Sequence, residues 1–328
     1  MKTLITGANG FVGSAVLRLL INDGQQVRAL VRPGSDRRNF EGIDLEVVEG
    51  DLKDADSLER AVAGCNTLFH IAADYRLWLP DPDTMYKTNV DGTRNLIIAA
   101  TRANVEKIIY TSSVATLGIN KDGTPSDETT PVTLEDMIGH YKRSKYLAEQ
   151  EVHKLVKGMS SPVVIVNPST PVGPRDIKPT PTGRIVLDTI RHRMPAYVDT
   201  GLNIVHVDDV AKGHLLALEK GIIGERYILG GDNMSLAKIL ECICLDQGMK
   251  PPTIRLPHNV VMPIAWIMER IASVTHKEPR ATVESVRMSK KMMFFTSDKA
   301  KYKLGYEARP GVEGLEDAIA WFNAENYN

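Results

Sequence analysis

The sequence predicts an α/β fold: a doubly wound parallel sheet carrying a smaller, partly interleaved C-terminal subdomain. Three observations predict it. Short apolar runs alternate with helix-periodic segments through the first half, as in βαβ units. A glycine-rich turn joins the first run to the first helix. Beyond Pro168 the pattern changes to a proline-rich stretch and then to shorter, mixed elements. The expected division is 1–167 for the sheet, with a return segment near 200–230, and 168–328 for the subdomain.

The elements follow in order. Thr3 to Thr6 is apolar enough for a strand, and Phe11 to Asn22 places Leu17, Leu20 and Ile21 on one helical side. Val27 to Val31 and Leu45 to Val48 read as strands, followed by a helix near 55–63. Thr67 to Ile71, Val90 to Ala103 and Lys107 to Tyr110 continue as strand, helix and strand. Tyr141 to Val156 reads as a helix and Pro162 to Val166 as a β-branched strand. Five prolines between Pro168 and Pro181 read as a loop without regular structure. A helix is expected over 260–274, with Ile264, Trp266, Ile267 and Ile271 most simply core residues.

Composition narrows the function classes. The chain has 328 residues, 43% hydrophobic and 25% charged, with a formal net charge of −1. This is ordinary globular usage and excludes a disordered, collagen-like or coiled-coil chain. Near-neutral charge lacks the broad basic footprint of a nucleic-acid binder. The longest apolar run, Val260 to Met268, is far short of a membrane span and contains Pro263. The apolar N-terminal stretch breaks at Gly7, which makes a poor signal peptide. Three cysteines, Cys65, Cys242 and Cys244, suggest neither a disulfide framework nor a zinc site. A cytoplasmic protein with no metal is expected.

The turn reads Thr6-Gly7-Ala8-Asn9-Gly10-Phe11-Val12-Gly13. Strand before and helix after are the context of a Rossmann-type dinucleotide fingerprint, here spaced G-x-x-G-x-x-G. Gly7 permits the tight turn, Gly10 the approach of a pyrophosphate and Gly13 close helix packing. Asn9, Phe11 and Val12 complete the turn, where the helix N-terminus favours phosphate. At the end of the second strand Arg32 stands where an acid would bind the ribose of NAD. Ser35, Arg37 and Arg38 lie nearby, and guanidinium groups match a 2′-phosphate. NADP is favoured, and Asp36 leaves NAD open. Asp51 and Leu52 are placed beside the adenine, with helix capping as the competing role for Asp51.

Tyr141-Lys142-Arg143-Ser144-Lys145 places Tyr141 and Lys145 one turn apart on a helix. A phenol titrates near 10, and a neighbouring ammonium is expected to lower it. A two-unit shift corresponds to about 2.7 kcal/mol. Such a pair exchanges a proton with an alcohol or ketone, and Lys145 also reaches a cofactor ribose. The preceding strand ends Tyr110-Thr111-Ser112-Ser113 beside the ligand crevice of a parallel sheet. Ser113 is the preferred hydroxyl to hold the substrate oxygen, with Ser112 its competitor.

These motifs resemble the extended short-chain dehydrogenase/reductase superfamily. Asn167 to Pro174 resembles its loop after the sixth strand, Val205 to Val210 its V-H-V-D-D-V element, and Ser297 to Tyr306 its C-terminal signature. His70 to Trp78, the proline-rich loop and Arg193 to Gly201 are similar to the hopanoid-associated sugar epimerase family, which is dihydroflavonol-reductase-like. The resemblance implies a Ser113–Tyr141–Lys145 catalytic triad. It places Ile71, Ala72 and Ala73 along the cofactor, and Pro168 and Thr170 near the nicotinamide. Asn89 would order the Lys145 side through solvent. It further implies a small hydroxylated or sugar-like substrate, a hopanoid by association, and dimers as usual among relatives. The chain departs from the sugar-epimerase pattern at Arg32 and at Leu117, where many such enzymes carry Tyr.

Tyr75 and Trp78 are candidate cleft residues, with local packing as the simpler role. Arg175 and Asp176 are candidate contacts for an anionic or hydroxylated substrate, with a local turn ion pair as the alternative. His206 is not expected to ligate metal, because Asp208 or Asp209 as a helix cap explains the cluster. His70 is expected to pack at a strand end. Three readings follow: a reductase, an epimerase that oxidises transiently, and a non-catalytic dinucleotide-binding or redox-sensing protein.

Overall fold

A computed structural model describes residues 1–76, 78–79, 81–275, 279 and 281–325, the side chains of 273 and 274 excepted. Leu77, part of the segment resembling the hopanoid-associated family, lies outside the described residues. The first half runs β1 (Lys2–Thr6), α1 (Phe11–Asn22), β2 (Gln26–Val31), β3 (Glu46–Glu49), α2 (Ala55–Val62) and β4 (Thr67–His70). It continues through α3 (Asp83–Tyr86), α4 (Gly92–Arg102), β5 (Lys107–Thr111), α5 (Gly139–Met159) and β6 (Val163–Pro168). The second half runs β7 (Thr170–Val172), α6 (Pro181–Ile190), β8 (Ala196–Val198), β9 (Gly201–His206), α7 (Val207–Lys220) and β10 (Arg226–Leu229). Then come β11 (Asp232–Ser235), α8 (Leu236–Asp246), β12 (Ile254–Leu256), α9 (His258–Thr275), α10 (Val283–Met288), β13 (Met292–Met293), α11 (Asp298–Leu304) and α12 (Gly311–Ala324).

Seven strands form one parallel sheet in the order β10-β6-β5-β4-β1-β2-β3. This is the doubly wound order, in which the strand sequence reverses between β1 and β4 and opens a crevice at their carboxyl ends. Register brings Thr6 beside His70 and His70 beside Tyr110 along that edge. One face is closed by α1 and α7 through Leu17, Leu20, Val207 and Val210. The other is closed by α2, α4 and α5 through Leu58, Leu96, Ala148 and Val152. Burial on both faces explains why β6 reads as an unbroken apolar run rather than an alternating one.

A second core gathers Val172, Val186, Ile204, Ile239 and Phe322 from β7, α6, β9, α8 and α12. Here two expectations change. The 168–182 segment is not wholly irregular, because β7 pairs in parallel with β9 and α6 begins at Pro181. Pro171 is tolerated because β7 is an edge strand, and Pro181 occupies the first helical position behind the Thr180 cap. The aliphatic residues of α9 are not core: Ile264, Trp266, Ile267 and Ile271 are 45–57% exposed. The buried positions of that helix are Ala265 and Ala272, so its small-residue face packs inward. No helix among the described residues is long and apolar enough to cross a membrane.

Candidate active site

The crevice starts at the glycine turn. Gly7 has φ +76°, and a Cβ there would sit 2.7 Å from the Ala72 nitrogen. A side chain at Gly13 would overlap the Gly7 carbonyl oxygen. Gly10 is exposed, and a Cβ on it would lie 3.2 Å from that same oxygen. Gly7 and Gly13 therefore bring β1, α1 and the Ile71–Ala73 segment into contact, while Gly10 leaves the mouth open. No described side chain caps α1, and its first turn carries no acid. Free N–H groups and a positive helix end there suit a diphosphate. Asn9 is turned toward the second strand, its Nδ2 donating to the Asp36 carbonyl at 3.2 Å. Phe11 and Val12 are half-buried against the core.

Thr6 ties the turn to β4. Its Oγ1 accepts from the Ile71 and Ala72 N–H groups, both at 3.2 Å, and meets His70 Nδ1 at 2.9 Å. The hydroxyl proton therefore goes to Nδ1, and Nε2–H donates to Thr93 Oγ1 at 2.9 Å. Burial, with the nearby Lys145 ammonium, holds His70 at about 3, so it is neutral. His70 is thus a strand-end column, in line with its expected packing role.

At the end of β2, Arg32 is exposed and makes no ion pair among the described residues. Arg37 is held by Glu49 at 2.6 Å, and Ser35 is half-buried in the turn. The Asp36 carboxylate is taken by Arg38 at 2.7 Å, and its hydrogen bonds from Arg38 hold it at about 2. Asp51 accepts from the Lys53 N–H at 2.9 Å, but the cap of α2 is Asp54. Leu52 is buried beneath Gly92 of α4.

Tyr141 and Lys145 lie on α5 over the end of β5. Lys145 is buried and donates to Tyr110 Oη at 3.1 Å and to the Thr111 carbonyl at 2.9 Å. The expected depression of Tyr141 is not found. Burial pushes its phenol above the usual 10, and only the Ser113 hydroxyl opposes the rise. The reason is that the Lys145 ammonium is turned toward the sheet, and burial lowers it to about 8 against the pull of Glu149. The two serines separate cleanly. Ser112 donates to the buried Glu149 carboxylate, whereas Ser113 faces Tyr141 and caps the following turn at 3.1 Å from the Ala115 N–H.

Asn89 sits on a π-helical turn, Lys87–Asp91, a feature frequent at functional sites. It hydrogen-bonds both backbone groups of Asp74 and donates to Ser144 Oγ at 2.9 Å. Its role is direct fixation of the segment after β4 and of the residue beside Lys145. Tyr75, 43% exposed, is near enough to Tyr141 and Asp176 for their charges to act on it. Trp78 is half-buried. Arg175 is engaged with Asp208, in the first turn of α7, beside Arg18 of α1. Pro168 is buried at the end of β6, Thr170 opens β7, and the buried Ser169 Oγ finds no partner among the described residues. His206, not Asp208 or Asp209, caps α7 through Nδ1 at 3.0 Å from the Asp208 N–H. Asp209 is instead paired with Arg309 at 3.0 Å.

One group escaped the sequence reading. Glu149, two turns beyond Tyr141 on the same helical face, receives Thr116 at 2.9 Å, Asn167 at 3.1 Å and Arg226 at 2.9 Å. Burial would raise it, but hydrogen bonds from His153, Ser112 and Arg226 hold it at about 2. The i+8 spacing was the available signal. Asp176, a candidate substrate contact together with Arg175, is buried and accepts from the N–H and Oγ1 of Thr180, both at 2.8 Å. Burial lifts it to about 6 despite those bonds. Nothing in its local sequence announced that burial.

The residues present fit a dinucleotide: an uncapped helix end without acid, a glycine cradle that any Cβ would close, and an orphaned hydroxyl at Ser169. A family profile described as the NAD dependent epimerase/dehydratase family matches residues 3–230. A dihydroflavonol 4-reductase-like protein of Synechocystis sp. is 43% identical, over 98% of this chain and 95% of its own. Sterol demethylase protein B of Methylococcus capsulatus is 33% identical over 98% of both chains. The crystal structure of gox2253 is 57% identical over 98% of both chains and superimposes with a TM-score of 0.89.

Proposed function

Because this chain belongs to the NAD dependent epimerase/dehydratase family, and is an NAD(P)-dependent oxidoreductase/epimerase of the extended short-chain type, we propose that it reduces a ketone to a secondary alcohol with NADPH. The observation that carries this reading is the Ser113 hydroxyl against the Tyr141 phenol, with Lys145 one turn along, at the edge shared with the uncapped α1. Gly7, Gly10 and Gly13 with the α1 N-terminus would hold the diphosphate. Ile71 to Ala73, Pro168 and Thr170 would flank the nicotinamide. When bound, the cofactor supplies hydride to the carbonyl carbon.

The protein's own part is proton management at the carbonyl oxygen. Ser113 Oγ and Tyr141 Oη hold that oxygen, and Tyr141 donates its proton as charge develops there. A phenol pushed up by burial stays protonated at neutral pH, which suits donation and hence reduction. Lys145, protonated at neutral pH, stabilises the phenolate that remains. Arg32 carries the preference for a 2′-phosphate, because its exposed guanidinium makes no ion pair among the described residues while Arg38 occupies Asp36. Residues 1–167, with β10 returning, form the cofactor half, and 168–328 the substrate half; Tyr75, from the cofactor half, lines the cleft between them.

The substrate class we carry forward is a hydroxylated, largely apolar molecule of hopanoid type, supported by the sequence resemblance and by the relative named for a sterol. Calorimetric titration of pure protein with NADPH and NADH tests the cofactor. NADPH should bind at least tenfold more tightly, about 1.4 kcal/mol, and a tenfold preference for NADH defeats the reading. Tyr141→Phe should lower kcat for ketone reduction by about 10²-fold or more. Loss of NADPH absorbance with substrate separates reduction from epimerisation, which shows no net redox change.

A further inference from the structure

The exposed face of α9 is the largest departure from what the sequence led us to expect. Val260, Ile264, Ile267 and Ile271 follow a spacing of four, three and four, so they form one stripe along the helix. They are 45–57% exposed, and Ile254 on the preceding β12 is 58% exposed. Trp266 lies along one edge of the stripe, with the Arg270 guanidinium stacked 5.0 Å from its ring centre. No described element covers these residues. The opposite face packs through Ala265 and Ala272, and α10 braces the helix, its Val283 N–H donating to Glu269 at 2.7 Å.

Charge identifies the occupant. Residues 250–291 contain eight Lys and Arg against three Glu, a net of +5. The whole chain carries −1, so the remainder carries −6. Lys250, Arg270, Arg287 and Lys290 are exposed in this segment. An amphipathic helix with an aliphatic stripe, an edge tryptophan and a basic surround is the pattern that lies in the plane of an anionic membrane surface. Self-association through the same face would set one basic segment against another, since a two-fold interface is self-complementary.

We propose that α9 docks this enzyme on the surface of an anionic lipid bilayer. The placement is functional as well as adhesive. Glu284 of α10 lies against Gly139 and His140, immediately before Tyr141. The helical pair that meets the membrane therefore also borders the start of the helix bearing the phenol, so an apolar substrate has a short path from lipid to site. The docking stands on the α9 surface and not on the proposed reaction.

The test is flotation of the full-length protein with vesicles of equal parts phosphatidylglycerol and phosphatidylcholine. The protein should float with them, should float several-fold less with phosphatidylcholine alone, and should be released by high salt. Ile267→Glu combined with Ile271→Glu should cut binding about tenfold or more while leaving NADPH affinity and melting temperature unchanged. Trp266→Phe should abolish the part of the fluorescence blue shift that vesicles induce. Absence of flotation, or equal binding to both vesicle types without salt dependence, overturns the proposal. So does light scattering that shows a dimer which the double substitution splits.

Discussion

Asn89 grips Asp74 from both sides: its Oδ1 accepts the Asp74 N–H at 2.7 Å and its Nδ2 donates to the Asp74 carbonyl at 2.8 Å. One amide thus plays the part of a neighbouring strand for a stretch of chain that has none. The same Nδ2 reaches Ser144, so the segment after β4 is tied to the part of α5 that carries Tyr141 and Lys145. Replacing Asn89 by Ala leaves the two Asp74 backbone groups without partners and removes the bond that Ser144 Oγ accepts, at a cost of about 1–3 kcal/mol. Turnover should fall with KM for cofactor rising, and Asn89→Asp should restore the accepted bond only. Unchanged steady-state constants in the Ala variant would remove Asn89 from the site.

The pH profile should report Lys145 rather than Tyr141. Lys145 loses its proton near 8, whereas the phenol is pushed above 10. For ketone reduction, kcat/KM should be flat at neutral pH and decline with unit slope above about 8. Lys145→Arg keeps a permanent charge and should move that limb upward, at a lower plateau. A wild-type limb first seen beyond pH 10 would assign it to the phenol.

Ser112 and Ser113 should separate activity from stability. Ser113→Ala should cost activity by about 10²-fold with little change in melting temperature. Glu149→Gln leaves Arg226 without its anion and disturbs three buried hydrogen-bond donors, so it should destabilise by about 3 kcal/mol. Denaturant titration of both variants distinguishes them, and the reverse pattern would place Ser112 at the reacting oxygen.

Acid should unfold the protein through its buried histidines. Burial lowers His70 to about 3 and His214 to about 4, below the usual 6.5. Between those values the unfolded chain binds protons that the native one does not, so stability present above pH 6.5 is lost as pH falls. Melting temperature should drop from pH 6.5 toward 4, with close to two protons taken up on unfolding. His214→Asn should remove one of them, and a flat profile over that range would mean that the unfolded chain shares the native values.

The sheet was legible because its signals are local. α1 begins at Phe11 and ends at Asn22 as its periodicity indicates, the strand–helix alternation announced β5, and a β-branched run announced β6. The glycine turn and the Tyr141–Lys145 spacing carry chemistry in short motifs, and the structure brings their surroundings together. What escaped was set by long-range packing. The pairing of β7 with β9 spans more than thirty residues, and it alone turns a proline-rich stretch into a strand. The direction of the Lys145 side chain depends on Tyr110, thirty-five positions away. The exposure of α9 could not be read from its own pattern, because a stripe of aliphatics looks alike whether a core or a solvent faces it.

The seventh strand of the main sheet, β10, reaches its place beside β6 only after β7, α6 and β9 have been packed into the second core and α7 has returned to the sheet beside α1. Cutting the chain at residue 167 therefore does not release a self-sufficient nucleotide module. It strips β6 of its outer neighbour and leaves a naked, sticky margin. Recombining this enzyme with a foreign specificity region would succeed only if the graft returns that final ribbon, so the two halves are inherited as one unit.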